Sequence, residues 1–425
     1  MDYSQILIDV QRKSSINVNS VAELKLLMDE IEILTNESIG FNTLRRLFGF
    51  LPKTKPSIKT LNTLSKFLSF SSYSAYLNDK SIYDDWYFNQ QLLRIKLSNQ
   101  LIDKDIRFIN SGVISSKNIV PVAYLVGYFI EKKNLDLIIK LFKNLNVKRM
   151  GDSNTMKFAT IVSHSFYTLK NEDAIAMIND LNTIDNFRKT VPLYYIDYSR
   201  LNSLYGKILD SILSQSNEHS DQLFVELMYS YKYFYTAKEK IEYLIKKPKE
   251  FNQFQSVLKG RYYANQILWN SKLSKNIKTS ILKEIKKNNT SLFTQEIILS
   301  LIIKSHFGFL SELYDSFYEE IFEFDRWTSK TRIVISLLAS ALINIENKNL
   351  TMAIKNLDMI DIEKVEMGYY EFLSLFLNLI KMKISYHQKD FINNKIASEN
   401  LKHLVKKTGF KRFMIESKNF TYKDH

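Results

Sequence analysis

Three side chains in one short stretch, Asn42, Arg45 and Arg46 of Gly40-Phe41-Asn42-Thr43-Leu44-Arg45-Arg46-Leu47-Phe48-Gly49-Phe50, have the chemistry to read a nucleic acid. Asn and Arg carry the forked donors and acceptors that match adenine and guanine edges in the major groove. At 100° per residue, Leu44, Leu47 and Phe48 share one stripe of a helix, while Asn42, Arg45 and Arg46 lie opposite. One face packs and the other is offered outward as the candidate base contact.

The surrounding charge favours the same partner. From 40 to 80 there are seven cationic residues, Arg45, Arg46, Lys53, Lys55, Lys59, Lys66 and Lys80, against the single acid Asp79, a local charge of +6. The segment before it is reversed, with Lys25 alone against Glu23, Asp29, Glu30, Glu32 and Glu37. Positive charge therefore gathers where the reading helix would lie. Lys53, Lys55, Lys59 and Lys66 are the candidate phosphate contacts. The competing reading is a solvated face of a structural helix, the ordinary fate of a charge pair on an amphipathic helix.

Positioning elements are visible on either side. Ser20 with Glu23 forms a capping box that opens a helix to about residue 36, Asp2 can cap a helix carrying Ile6 and Val10, and Ser57 can cap a helix whose Leu61, Leu64 and Leu68 point inward. The stretch 40–50, its spacer 51–56 and the Thr60-Leu61-x-x-Leu64-x-x-x-Leu68 helix resemble the third and fourth helices of Cro-repressor-type (XRE-like) helix-turn-helix domains. That resemblance implies a DNA-binding domain over residues 1–78, although the preceding helix is longer than the family's usual scaffold helix.

The remainder predicts helix throughout. Ten Gly and five Pro punctuate 425 residues, and hardly any stretch alternates at period 2, so an all-α fold is expected. After a connector at 78–81 and an aromatic cluster, Trp86, Tyr87 and Phe88, read as the seam between domains, paired helices follow. One pair is 119–131 and 134–144, broken at Lys132-Lys133-Asn134. A second is 156–169 and 172–181, with Lys170-Asn171 as its turn and Ala174-Ile175 opening the next helix. A third is 333–345 and 350–360, with Asn347-Lys348-Asn349 as its turn and Ala353-Ile354 in the matching place. A last pair covers 370–385 and 389–406, and residues 419–425 should fray. The periodicity resembles tetratricopeptide-like α-solenoids, without their Trp-x-x-Leu-Gly start, and implies a helical-repeat domain over 81–425. The same order, reading domain then helical repeats, resembles bacterial regulator-like proteins. Tyr194, Tyr195, Tyr198, Tyr205, Tyr229, Tyr231, Tyr233 and Tyr235 crowd the middle of this region. Tyrosines at helical spacing mostly mean packed helices whose hydroxyls reach solvent; the alternative is an aromatic-lined groove for a peptide or protein ligand.

Several function classes lose support. With no cysteine, disulfides, thiolate metal sites and Cys nucleophiles are excluded. The six histidines are scattered without metal-ligand spacing, and phosphate-cradling Gly-rich loops and nucleophile elbows are absent, so no catalytic residue, metal or cofactor is assigned. No run of about 18 apolar residues suggests a membrane span, and Met1-Asp2-Tyr3-Ser4-Gln5 does not open a secretory signal, so a cytoplasmic protein is expected. The net charge of +14 favours a polyanion, although a Lys-, Asn- and Ile-rich composition also follows from AT-rich coding DNA. Two readings remain: a regulator that binds double-stranded DNA and senses or dimerises through its repeats, with a homodimer left open, and a non-catalytic scaffold that grips protein partners.

Overall fold

The computed structural model describes residues 3–421 other than 15, 53, 99, 239–242, 289–290 and 323–328, and the backbone alone at 78–85, 288, 291 and 320. All regular structure among them is helical, and the chain divides into two compact units, Met1–Arg94 and Ile95–His425. The expected cap at Asp2 lies outside the described residues.

The first unit holds α1 (Ser4–Ser14), α2 (Val21–Thr35), α3 (Phe41–Leu47), α4 (Ile58–Phe67) and most of α5 (Tyr73–Ser98). Its core is built from the stripes the periodicity picks out: Ile6, Val10, Leu24, Leu27, Ile31, Leu44, Leu47, Leu61, Leu64 and Phe67, closed by Tyr73 and Tyr76. Each such side chain taken fully out of water contributes about 1.5–3 kcal/mol. Two polar ties brace the bundle: the Tyr76 hydroxyl donates to Asp9 at 2.5 Å, and Lys13 Nζ donates to Ser69 Oγ at 2.9 Å.

The connector expected at 78–81 is instead interior to α5, and the division into units falls after Arg94. Asn78-Asp79-Lys80-Ser81 contains neither Gly nor Pro, so nothing in its backbone chemistry stops a helix that begins at Tyr73. Of the aromatic cluster only Phe88 is buried; Trp86 and Tyr87 are exposed.

In the second unit the helices are α6 (Asp103–Ile114), α7 (Ile119–Glu131), α8 (Leu135–Asn144), α9 (Gly151–Ser165), α10 (Asn171–Leu181) and α11 (Asp185–Tyr194). There follow α12 (Leu204–Gln215), α13 (His219–Tyr235), α14 (Ser256–Trp269), α15 (Lys275–Asn288) and α16 (Ser291–Ile303). The last are α17 (Phe307–Ser316), α18 (Lys330–Glu346), α19 (Leu350–Asp358), α20 (Tyr370–His387), α21 (Phe391–Thr408) and α22 (Arg412–Thr421). The expected pairs are present, and the matching alanines Ala174 and Ala353 are both buried where the second helix of a pair begins. The final helix runs to Thr421, past the point where fraying was expected.

Several helices pack next-but-one, α7 on α9, α9 on α11, α14 on α16, α16 on α18 and α18 on α20, while α18 on α19 and α20 on α21 pack as sequential neighbours. Glycine makes two of these crossings: a Cβ on Gly260 would lie 2.3 Å from the Phe293 carbonyl oxygen, and one on Gly127 would lie 2.3 Å from Ser165 Oγ. Other contacts join segments far apart in the chain. The short 3-10 segments Tyr198–Arg200 and Met367–Tyr369 touch, and the Tyr198 ring stacks on Phe372 at 4.6 Å.

Most of the tyrosine-rich middle is core, with Tyr229 and Tyr233 half-buried. Tyr194, Tyr195, Tyr198, Tyr205, Tyr231 and Tyr235 are all buried. Their hydroxyls do not reach solvent, as expected from spacing, but are mostly bonded inside: Tyr194 to Asp152 at 2.6 Å, Tyr198 to Glu296 at 2.6 Å, Tyr205 to the Pro192 carbonyl at 2.7 Å and Tyr231 to the Arg261 carbonyl at 2.9 Å. Burial raises the Tyr198 and Tyr231 hydroxyls well above their ordinary range, so they remain neutral donors. Beside them the fully buried Arg261 guanidinium faces Glu296 at 3.7 Å and donates to the Leu193 carbonyl.

Candidate nucleic-acid interface

The turn before α3 is built by local hydrogen bonding. Ser20 Oγ accepts the Glu23 N–H at 3.2 Å and Glu23 Oε2 accepts the Asn19 N–H at 2.8 Å, so the capping box starts α2 at Val21. Asn36, in the left-handed region at φ 54°, stops that helix, its N–H returning to the Glu32 carbonyl at 2.9 Å. Gly40 then starts α3 by accepting from the Thr43 N–H at 2.8 Å. Two turns later Gly49, at φ 86°, lets the Phe50 N–H reach the Arg45 carbonyl at 2.8 Å and closes the helix.

Within α3, Leu44 and Leu47 are buried and Phe48 is half-buried, as the stripe requires. Asn42 is exposed, while Arg45 and Arg46 are half-buried. Arg45 lies along its own helix: its guanidinium carbon is 6.0 Å from the Phe41 ring centroid, Nη1 is 3.5 Å from Asn42 Oδ1, and Nε is buried without a partner. Asn42 and Arg45 are thus in contact, the first exposed and the second half-buried. Arg46 makes no ion pair with a described residue.

The four lysines part company. Lys53 lies outside the described residues. Lys55 and Lys59 are exposed, on the approach to α4 and in its first turn, and neither forms an ion pair with a described residue. Lys66 is different: its ammonium donates to Glu37, whose other oxygen accepts the Thr63 hydroxyl at 2.7 Å. The Lys66 and Thr63 hydrogen bonds hold the Glu37 carboxyl below its ordinary range. Lys66 thus fastens the turn before α3 to α4, a relation spanning 29 residues that local charge counting does not reveal.

The second unit contains groups that sequence spacing missed. His164, Tyr167, Tyr195, Asp197 and Arg200 form one cluster: the Tyr167 hydroxyl donates to Asp197 Oδ2 at 2.7 Å, Arg200 Nε donates to the same oxygen at 2.5 Å, and the Arg200 guanidinium covers the Tyr167 ring at 3.9 Å. A mostly apolar cleft of about 50 Å³ borders it, with Ile178, Val191, Leu204 and Ile208 among its walls. That volume accepts a side-chain tip and is well below the roughly 300 Å³ at which small-molecule sites begin. Apart from Tyr195 in the tyrosine-rich middle, nothing in the sequence singles these residues out, because the lone His164 has no partner at motif spacing.

Among the described residues no cluster of His, Asp and Glu could hold a metal ion, and no helix is long and apolar enough to cross a membrane. No family model, curated protein or solved structure matches the chain.

Proposed function

We propose that the protein is a DNA-binding regulator whose first unit contacts duplex DNA through α3 and the entry to α4, with the second unit acting as its helical sensor or dimerisation part. The observation that carries this reading is that Arg46, Lys55 and Lys59 form no ion pair with a described residue, while Asn42, beside the half-buried Arg45, is exposed. Cations held in ion pairs have already spent their charge locally, whereas these are available to displace counterions from phosphate. Asn42 and Arg45 supply the forks for base edges, and Lys55 and Lys59 supply position without sequence preference.

The test is binding of the full chain to genomic fragments, followed by titration of an enriched site and of random duplex over a salt series. An enriched site, with affinity that falls steeply as salt rises, supports the reading. Equal recovery of all fragments together with a flat salt response overturns it. The scaffold reading is favoured by a separate observation, the solvent-facing Phe391 and Ile392 of α21, which are 84% and 75% exposed. It takes over if duplex binding is absent.

A further inference from the structure

The chain passes from α16 to α17 through Lys304-Ser305-His306. Ser305 takes a φ of 56°, and its N–H and that of His306 return to the Ile302 and Leu301 carbonyls at 3.0 and 2.9 Å, which ends α16. The first hydrogen bond of α17 runs from the Leu310 N–H to the His306 carbonyl at 3.1 Å. The N–H groups of Phe307, Gly308 and Phe309 therefore stand at the start of α17 with no hydrogen-bond partner among the described residues, since this helix has no side-chain cap.

A cleft of about 320 Å³ lies over this link, and Lys272, Leu273, Lys278, Ser305, His306 and Gly308 are among its walls. That volume falls within the range of small-molecule sites, which begins at roughly 300 Å³. Lys272 and Lys278 form no ion pair with a described residue, and no carboxylate is among the described residues that line the cleft. Lys278 is half-buried, its ammonium 5.3 Å from the centroid of the Phe309 ring in the same wall. Two further polar atoms of the lining residues, Ser305 Oγ and His306 Nε2, are buried without a hydrogen-bond partner. Such atoms are rare in folded proteins and mark places where an ion or ligand completes the bonding. Burial, and then the positive charges of Lys304 and Lys278, push the His306 pKa below its ordinary 6.5, so the field at this side chain is positive.

The donors select the ligand. Two ammonium groups, three main-chain N–H groups and a hydroxyl exceed the roughly four lone-pair sites of a carboxylate, whereas a phosphomonoester brings three terminal oxygens and nearly two negative charges. Main-chain N–H groups at a helix start and the point charge of lysine both suit phosphate. Leu273, Phe307 and Phe309 supply apolar wall for an organic part, and Gly308 leaves room, since a Cβ there would meet nothing within 4 Å.

We propose that this cleft binds the phosphate group of a small phosphomonoester, with Lys272, Lys278, Ser305 and the start of α17 as its donors. The site stands apart from DNA contact by the first unit.

The test is calorimetric titration of the full chain with phenyl phosphate, and with benzoate as its carboxylate counterpart. The wild type should bind one phenyl phosphate with Kd below about 1 mM and benzoate about tenfold more weakly or worse. Gly308→Asp places a carboxylate among the donors, at the second position of α17 where an acidic residue suits the helix. It should lower phenyl phosphate affinity about tenfold or more with no loss of melting temperature, while the neutral Gly308→Asn should lower it less than about threefold. Lys278→Gln should lose about tenfold, and Lys140→Gln, at an exposed lysine of α8 outside the cleft, should lose nothing. No saturable binding of phenyl phosphate, equal affinity for benzoate, or equal losses in Lys278→Gln and Lys140→Gln would overturn the proposal. So would a Gly308→Asp chain that keeps phenyl phosphate and loses duplex DNA, because the cleft would then be a nucleic-acid contact.

Discussion

The Tyr195 hydroxyl is hydrogen-bonded to His164. Gly368 donates its backbone N–H to that oxygen at 2.8 Å, and His164 Nε2 lies 2.9 Å from it, so one hydroxyl ties α9 to the segment before α20. Protonating the half-buried imidazole would place a charge where burial disfavours it. Burial pushes the His164 pKa below its ordinary 6.5, with the nearby Asp197 charge opposing.

Stability should therefore fall on acidification through this window. A histidine with a depressed folded pKa binds its proton more readily when unfolded, so the His164 contribution is intact above about 6.5 and is lost as pH falls toward the folded value. Melting temperatures at pH 8 and pH 5 for wild type and His164→Gln would show it, since glutamine keeps an acceptor that does not titrate. Equal pH slopes in the two proteins would contradict the assignment.

Gly260→Ala should cost about 1–3 kcal/mol. The added methyl would stand 2.3 Å from the Phe293 carbonyl oxygen, and the obstacle is backbone, so α14 and α16 must separate. A melting temperature equal to wild type would show that the crossing has slack.

The Arg188–Asp221 pair, 2.6 Å apart and both buried, predicts an asymmetry. Arg188→Met should destabilise by about 3–5 kcal/mol because Asp221 keeps only Ser216 as partner in a dry setting, while Arg188→Met combined with Asp221→Leu should cost less than the single change. Urea titration of both variants decides it; a double variant weaker than the single one would refute the argument.

On DNA, Lys59→Ala and Lys55→Ala should each flatten the salt dependence by about 0.9 in the log–log slope, the value per phosphate. Lys66→Ala should leave that slope unchanged and lower thermal stability instead, because its ammonium holds Glu37. Arg45→Ala should change site preference by about 1–3 kcal/mol of discrimination at one position. The reverse pattern, with Lys66 governing the slope, would reassign the contact face.

Helix identity was legible wherever a local rule acts. The Lys132-Lys133-Asn134 break ends α7 at Glu131, and Ser20 and Ser57 both act as caps, their hydroxyls accepting from the backbone three residues on. The continuous α5 was not legible, because a polar tetrapeptide without Gly or Pro is compatible with turn and helix alike. The packing face of α3 followed from its spacing, but the fate of individual charges did not. Lys66 meets Glu37 across 29 residues, Arg261 meets Glu296 across two helices, and Tyr195 meets Gly368 across 173. Such pairings are set by tertiary packing, which spacing along one helix does not encode.

The contact between the Tyr198–Arg200 and Met367–Tyr369 segments imposes an order on synthesis. Tyr195 leaves the ribosome 173 residues before the glycine that completes its hydrogen bonding, a wait of roughly 10–35 s at typical bacterial-to-eukaryotic elongation rates. During that interval the nascent chain carries Tyr195, Tyr198 and Arg261 without their later partners, and the middle of the unit is an unfinished surface. A ribosome stalled before residue 366 should hold a protease-sensitive chain, and the released full chain should be resistant.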